Sequence, residues 1–257
     1  MTHYVKKPLM LISGAASGIG LACARWAATQ GWQVVGGYYP GDPHDPLLAL
    51  AGLGELAQSV RLTPLDVSSA DSVDQWVAEA VSGGAVIGAV VANAGILRQA
   101  ALAEMSEAQW DEMLGVDLGG VIRMFRAASR HMSGSGALVA ISSIAGGVYG
   151  WEEHAHYAAA KSGLLGLCRS LAVELAPREI RCNAVVPGLI ETPQSLDKVN
   201  SLGAEGLKHA ASLVPLQRIG RADEVAELVG FLCSKRAAYI TGQSIIIDGG
   251  LTVRMPR

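Results

Sequence analysis

The chain has 257 residues, 50% of them hydrophobic and 17% charged, with a formal net charge of −3. That composition excludes a disordered chain, and a chain of this length buries about 70–75% of its unfolded surface. With no cluster of Lys or Arg, the charge pattern gives no reason to expect nucleic acid or an anionic membrane as partner.

The four cysteines (Cys23, Cys168, Cys182, Cys233) are scattered and form no C-x-x-C pair. This suits reduced, buried thiols in a cytoplasmic protein better than a disulfide framework. Met1 to Pro8 is short and polar, and Leu9 to Ile12 is too short for a signal h-region. No apolar run approaches a membrane span.

Leu9 to Ser13 reads as a first, buried strand that stops at Gly14. Ser13-Gly14-Ala15-Ala16-Ser17-Gly18-Ile19-Gly20 follows. Its glycines permit a tight turn and let a phosphate approach backbone N–H groups at a helix start. The helix carries Ile19, Cys23, Trp26 and Ala27 on one stripe, and Gly31 sits where a terminating glycine belongs. Gln33 to Gly37 is the second strand, so the glycine turn stands in a βαβ context.

Residues 40 to 46 form a proline-rich loop, and a weak helix spans Leu47 to Leu56. Arg61 to Leu65 is the third strand. Ser69 is an N-cap for a helix over Ala70 to Val81. Val86 to Ala92 is the fourth strand, ending at Asn93-Ala94-Gly95. Ser106 and Gln109 fit a capping box. The helix they start runs to about Met132, with an irregularity near Gly119-Gly120. Trp26, Trp76 and Trp110 occupy helical positions whose default is the core.

Ala137 to Ile141 is strand five, ending in Ser142-Ser143. A helix runs from about Tyr157 to Ala176 and is stopped by Pro177. Arg181 to Val186 is strand six, ending at Pro187-Gly188. A mixed segment covers 190 to 215. Arg218 and Arg221 read as surface or helix-start residues. A helix over Ala222 to Cys233 and a seventh strand over Ser244 to Ile247 complete the chain. Strands alternating with helices imply an α/β fold: a single doubly wound parallel sheet of about seven strands, covered on both faces, in one domain over residues 1–257.

Tyr157 and Lys161 are four residues apart, one turn apart on one helix face. A free tyrosine, with a pKa near ~10, is a poor proton donor or base at neutral pH. A lysine ammonium beside it favours the phenolate, and such a pair can move a proton on and off an alcohol or ketone oxygen. Polar or glycine motifs close nearly every strand, at 14–20, 66, 93–95, 142–143 and 187–192. Open parallel sheets bind ligands at those strand ends, so the Tyr–Lys helix begins on the same edge as the glycine turn. His154 and His156 alternate with no third ligand in sight, which gives no metal site; they face the substrate or form a polar loop. Trp151 and Tyr149 are candidates for a pocket wall.

Together these motifs resemble the short-chain dehydrogenase/reductase family over nearly the whole chain. Gly14-x-x-x-Gly18-Ile19-Gly20 is similar to its coenzyme turn, and Asn93-Ala94-Gly95 to its Asn-Ala-Gly motif. Ser143 with Tyr157 and Lys161 is similar to its catalytic set, and Pro187-Gly188 precedes Thr192. The segments around Tyr239 to Gln243 and Asp248-Gly249-Gly250 also match the family's ending.

The resemblance implies an enzyme that uses NAD(P) to interconvert a secondary alcohol and a ketone, of the 3-oxoacyl-thioester reductase or the sugar or polyol dehydrogenase kind. The cofactor carries the hydride. Tyr157 exchanges the proton. Lys161 lowers its pKa and bonds the nicotinamide ribose. Ser143 holds the substrate oxygen, with Ser142 as the alternative. Gly14, Ser17, Gly18, Ile19, Gly20, Tyr38 and Pro187 belong to the coenzyme site; Asp66 and Val67 contact adenine; Asn93 and Gly95 line the cleft; Thr192 and the backbone near Ile190 hold the carboxamide. Substrate choice sits in the 146–156 loop and the 190–215 segment. The resemblance also implies a homotetramer, with the helices on either side of strand five packing between subunits.

Three positions depart from the pattern. Asp117 stands where the family has Asn, whose amide helps hold a water in a proton relay from the lysine. Asp is nearly isosteric but charged and without the amide donor; the expectation is that the relay survives through backbone carbonyl and water. Ser143 precedes Tyr157 by one residue more than usual, which the 146–156 loop absorbs. At the end of strand two, Tyr38-Tyr39 supplies neither the acid that binds a ribose 2′-OH nor a base for a 2′-phosphate, and Ser17 stands where phosphate binders often have Arg. Asp42 is near enough to swing in. The absence of any cation favours NAD, with NADP as the alternative. A reading of another class, a non-catalytic dinucleotide-binding sensor or scaffold, rests on Asp117 alone; intact Ser143, Tyr157 and Lys161 weigh against it.

Overall fold

The computed structural model describes residues 7–255, so most of the polar stretch expected ahead of strand one lies outside the described residues. The chain runs β1 (Leu9–Ser13), α1 (Gly18–Thr29), β2 (Gln33–Tyr38), α2 (Pro46–Ala51), β3 (Val60–Pro64), α3 (Ala70–Val81), β4 (Ile87–Ala92), α4 (Glu107–Asp117), α5 (Gly119–His131) and β5 (Gly136–Ile141). It continues through α6 (Ile144–Gly147), α7 (Ala155–Leu175), β6 (Ile180–Pro187), β7 (Ile190–Glu191), α8 (Pro193–Leu196), α9 (Gly203–Ala211), β8 (Gly220–Arg221), α10 (Ala222–Cys233) and β9 (Ser244–Ile247).

Seven strands make one parallel sheet in the order β3-β2-β1-β4-β5-β6-β9; β7 and β8 pair apart from it. Two apolar cores flank the sheet. Side chains alternate across a strand, so Leu9 and Leu11 of β1 enter the core under α3, α5 and α7, with Trp76, Phe125 and Leu164. Met10 and Ile12 enter the core under α1 and α10, with Cys23, Val229 and Leu232. The order in which the chain adds strands to the sheet reverses between β1 and β4. That switch point opens a crevice at the strand ends, where ligands bind in such sheets.

The caps expected at Ser69 and Ser106 both form: Ser69 accepts from the Ser72 N–H, and Ser106 and Gln109 make a reciprocal capping box. The long helix expected after Ser106 breaks at Leu118 (φ −113°, ψ −53°) into α4 and α5. Arg123 donates to the Gly115 carbonyl, freed by that break, at 2.9 Å, and to the Val67 carbonyl at 3.2 Å. The weak helix expected over 47–56 splits into α2 and a 3₁₀ turn (Gly54–Ser59), because Gly54 takes φ +57°. The tryptophans divide. Trp76 is buried and Trp26 lies between α1 and α10, but Trp110 is 37% exposed, since α4 turns only Met113 and Asp117 fully inward.

Candidate active site

The glycine turn between β1 and α1 is a tight backbone structure. Gly14 (φ +67°) and Gly18 (φ +52°) occupy left-handed conformations that side chains resist. A Cβ on Gly20 would stand 2.0 Å from the Gly14 carbonyl oxygen, so only glycine lets the chain fold back there. Asn93 braces the turn from β4: its amide donates to the carbonyls of Ser13 (3.1 Å) and Gly14 (3.0 Å). The Ser13 hydroxyl accepts from the N–H groups of Asn93 and Ala94, both at 3.1 Å. Sequence reasoning missed Ser13 because a serine at a strand end carries no pattern of its own.

Ser17 caps α1 without a side-chain bond to its first turn, which leaves backbone donors at a helix N-terminus for an anion. A groove of about 870 Å³ runs past this turn, lined by Gly14, Ser17, Gly18, Asp66, Val67 and Asn93. Those residues fit a dinucleotide. A second cavity, of about 320 Å³, continues from it, and the two share Ile19, Asn93, Gly95, Leu97, Thr192 and Gln194. The second cavity holds Ser143, Tyr157, Lys161 and Asp117 together with Pro187 and Ile190. So the expected residues converge, apart from two. Gly20 lies buried beneath the turn. Tyr38 is not in the lining, because β2 runs one residue further than expected and pairs Tyr38 with Pro64. Tyr39 lines the groove instead, with Asp42 and His44, which are hydrogen-bonded to each other.

Tyr157 lies in the first turn of α7, and Lys161 one turn further on holds its Nζ 5.6 Å from the phenol ring centroid. Ser143 lies beside Tyr157 and favours its phenolate, and its hydroxyl accepts from the Ala145 N–H at 3.1 Å, capping the short α6. Ser142 is otherwise engaged: buried, it donates to the Lys161 carbonyl at 2.8 Å. Lys161 donates to the Ile141 carbonyl at 3.2 Å and pairs with Asp117 Oδ2 at 3.0 Å. The other oxygen of Asp117 accepts from the Ile96 N–H at 2.8 Å.

Burial is the largest influence on each of the three ionisable groups. It pushes the Tyr157 phenol above the ordinary tyrosine range; Lys161 and Ser143 pull down, while Asp117 pushes further up. The expectation that lysine lowers this pKa holds for its own influence but not for the sum. Burial would lower Lys161, yet Asp117 and Tyr157 outweigh it and keep the ammonium charged beyond its usual range. Burial raises Asp117, and Lys161 opposes that rise.

Neither His154 nor His156 faces the cavity, and neither forms an open polar loop. Both are buried, His154 at the start of α7 and His156 within it. Tyr149 and Trp151 do line the cavity. Arg218 and Arg221 lie near the start of α10, with Arg218 paired to Glu224 at 2.6 Å. Among the described residues all four cysteines are buried and free, and no helix is long and apolar enough to cross a membrane.

A parallel sheet with its cleft at the β1/β4 switch and a Ser–Tyr–Lys cluster beside it defines a nucleotide-dependent oxidoreductase by fold and site. The family model described as enoyl-(acyl carrier protein) reductase matches residues 14–252. The 3-oxoacyl-[acyl-carrier-protein] reductase of Thermotoga maritima is 38% identical over 245 residues, 95% of this chain and 97% of that protein. The cis-4-hydroxycyclohexanecarboxylate dehydrogenase of Sinomonas cyclohexanicum is 40% identical over 245 residues, 94% of this chain and 95% of the other. A solved levodione reductase superposes with a TM-score of 0.89 at 30% identity, covering 96% of this chain and 98% of its own. The chain therefore belongs to the short-chain dehydrogenase/reductase family and is an oxidoreductase of the alcohol–ketone class that works with a nicotinamide dinucleotide.

Proposed function

We propose that residues 1–257 act as one cytoplasmic catalytic domain that interconverts a secondary alcohol and a ketone with NAD. The observation that carries this reading is the convergence of Ser143, Tyr157 and Lys161 in a cavity continuous with the dinucleotide groove. When bound, the nicotinamide supplies or accepts the hydride. Tyr157 gives its proton to the carbonyl oxygen in reduction and receives it in oxidation. Ser143 steadies that oxygen as charge develops on it. Lys161 favours the phenolate and would bond the nicotinamide ribose. Asp117 holds Lys161 in place by direct ion pairing, an arrangement different from the water-bridged relay expected of an asparagine. Gly14, Ser17, Gly18 and Ile19 would take the pyrophosphate, Asp66 and Val67 the adenine, Asn93 and Gly95 the ribose side of the cleft, and Pro187, Ile190 and Thr192 the carboxamide.

NAD is preferred over NADP because Asp42 lines the groove beside Tyr39 and His44, and the one Arg or Lys among the described residues of the groove lining, Arg98, is engaged with the Leu97 carbonyl at 2.9 Å. A carboxylate there accepts from ribose hydroxyls and repels a 2′-phosphate. The homotetramer reading is supported by exposed Trp110, Ile122 and Val173 on α4, α5 and α7; sedimentation of the purified protein tests it. The activity is tested by NADH oxidation against a panel of ketones, with Tyr157→Phe as control. Turnover unaffected by that substitution removes the tyrosine from the reaction.

A further inference from the structure

The substrate end of the small cavity is specific in what it lacks. Its lining holds one cation, Lys161, which is already paired with Asp117. Most of its polar side chains are committed. The Ser195 hydroxyl donates to the Thr192 carbonyl at 2.9 Å, and Thr192 Oγ1 accepts from the Ser195 N–H at 3.2 Å. The Tyr149 hydroxyl donates to the Leu251 carbonyl at 3.0 Å. Beyond Ser143 and Tyr157, which serve the reacting oxygen, Gln194 and Ser201 remain. The rest of the wall is mostly apolar and includes Leu97, Ile144, Leu202, Leu207, Leu251 and Trp151.

Trp151 is held in a set position. Its ring stands edge-on to the Tyr157 ring at 6.5 Å (85°) and stacks on the His154 imidazole at 4.0 Å (15°). His154 is itself fixed, with Nδ1 2.6 Å from the Glu152 carbonyl and Nε2 3.2 Å from the Asn200 carbonyl. A neutral imidazole has one N–H, so one of these contacts is a hydrogen bond in either tautomer. The histidine thus joins the 146–156 loop to the segment before α9 and backs the indole beside the reacting phenol.

We propose that this cavity selects a compact, uncharged cyclic alcohol or ketone laid against Trp151, and that His154 is the positioning residue that sets the indole. The inference rests on the oxidoreductase reading above. At about 320 Å³, shared with the nicotinamide, the space lies at the low end of ligand pockets. The Tyr149–Leu251 bond fixes the spacing of two walls, which suits a ring over an extended chain. A polyol brings hydroxyls that Gln194 and Ser201 cannot all satisfy, and buried polar groups left unpaired discriminate strongly. A carboxylate or phosphate finds no free cation.

The test compares kcat/KM for oxidation, with saturating NAD, of 4-methylcyclohexanol, an aldohexose and a 3-hydroxybutyryl thioester. The ring alcohol is expected to lead both others by at least 100-fold. Trp151→Ala is expected to lower kcat/KM for the ring alcohol at least tenfold, chiefly through KM, and Trp151→Phe to recover most of it. His154→Ala should copy Trp151→Ala, and His154→Phe, which keeps a stacked ring, should recover it. A lead for the aldohexose or the thioester overturns the substrate class while the reaction stands, and so does a ring-alcohol KM that neither tryptophan variant moves. A normal KM in His154→Ala overturns the positioning role. No turnover of any of the three, with NAD binding intact, overturns this inference, and the ketone panel above then decides the oxidoreductase reading separately.

Discussion

Lys161 and Asp117 form an ion pair at 3.0 Å with side chains 6% and 0% exposed, directly behind the phenol of Tyr157. The carboxylate answers two donors at once, the Lys161 ammonium and the Ile96 N–H. A Cβ on Gly95 would meet Asp117 Oδ2 at 2.9 Å and Lys161 Nζ at 3.2 Å, so a glycine is what lets the β4 loop close over the pair.

The first prediction follows from counting acceptors. Asp117→Asn leaves one oxygen for two donors, and its amide N–H₂ faces either an N–H or an ammonium. Stability is expected to fall by about 2–3 kcal/mol, below the cost of removing a partner outright because one contact survives. The same substitution removes the negative charge that pushes Tyr157 up. With Tyr157 still favouring the Lys161 ammonium, the phenolate becomes easier to form. Oxidation of an alcohol needs the phenolate, so kcat/KM for oxidation should rise at lower pH in the variant than in the parent. A pH profile unmoved, or moved upward, would show that Asp117 does not act on the tyrosine. An increase in turnover by orders of magnitude would mean instead that the carboxylate impairs the native proton path.

Direction of reaction gives the second prediction. Burial holds Tyr157 protonated beyond the ordinary tyrosine range. A protonated phenol is the acid that ketone reduction needs, so reduction should hold steady across neutral pH and fail only in the alkaline range. Oxidation should climb through that range. Tyr157→Phe should lower kcat by about 10²–10⁴ in both directions, the usual share of a positioned acid or base, while NADH binding followed by fluorescence stays near the parent value. Ser143→Ala should cost about 10²–10³ in kcat, as loss of one oxyanion donor does.

The third prediction concerns the adenosine end of the groove. The parent protein should favour NADH over NADPH in kcat/KM. Asp42→Ala should shrink that ratio, because the repelling carboxylate is gone, and Asp42→Arg should shrink it further. A strong native preference for NADPH would refute the role given to Asp42.

How much of this was legible in the sequence depends on the distance over which each signal acts. The helices over 70–81 and 222–233 and the strand over 244–247 were read to the residue, since caps and apolar runs are local. The parallel sheet covered on both faces follows from alternation of strands and helices, whereas the order of its strands does not. Tyr157 and Lys161 were found by their spacing and Ser143 through the resemblance to the family's catalytic set, and the shared strand-end edge put them by the glycine turn. Other features depend on contacts between distant segments. Asp117 was recognised as a departure, but its direct pairing with Lys161 exists only once α4 and α7 pack together. Ser13 and Leu251 reach the site from ends of the chain with no motif of their own. His154 and His156 read as either facing the substrate or forming a polar loop, yet the tertiary structure buries both. Tyr38 and Tyr39 were separated by a single residue of strand length, a boundary that propensity does not fix.

The last prediction links packing to the site. α1 and α10 pack against each other on one face of the sheet so closely that a Cβ on Gly230 would stand 2.2 Å from Cε2 of Trp26. The indole is a rigid ring wedged between helices, and it also donates to Glu227 at 3.1 Å, so it cannot swing aside without losing that bond. Gly230→Ala must therefore displace α1 or α10. Overpacking of this kind costs about 1–3 kcal/mol, a fall of about 3–10 °C in Tm for a chain of this size. Since α1 carries the glycine turn at its N-terminus, a displaced α1 should also weaken NAD binding, with the pyrophosphate end affected more than the catalytic cluster on α7. Trimming the ring in the same background, Gly230→Ala with Trp26→Leu, should recover stability relative to the sum of the two single changes, the coupling a double-mutant cycle measures for residues in contact. Additive losses would mean that the two side chains do not meet as described.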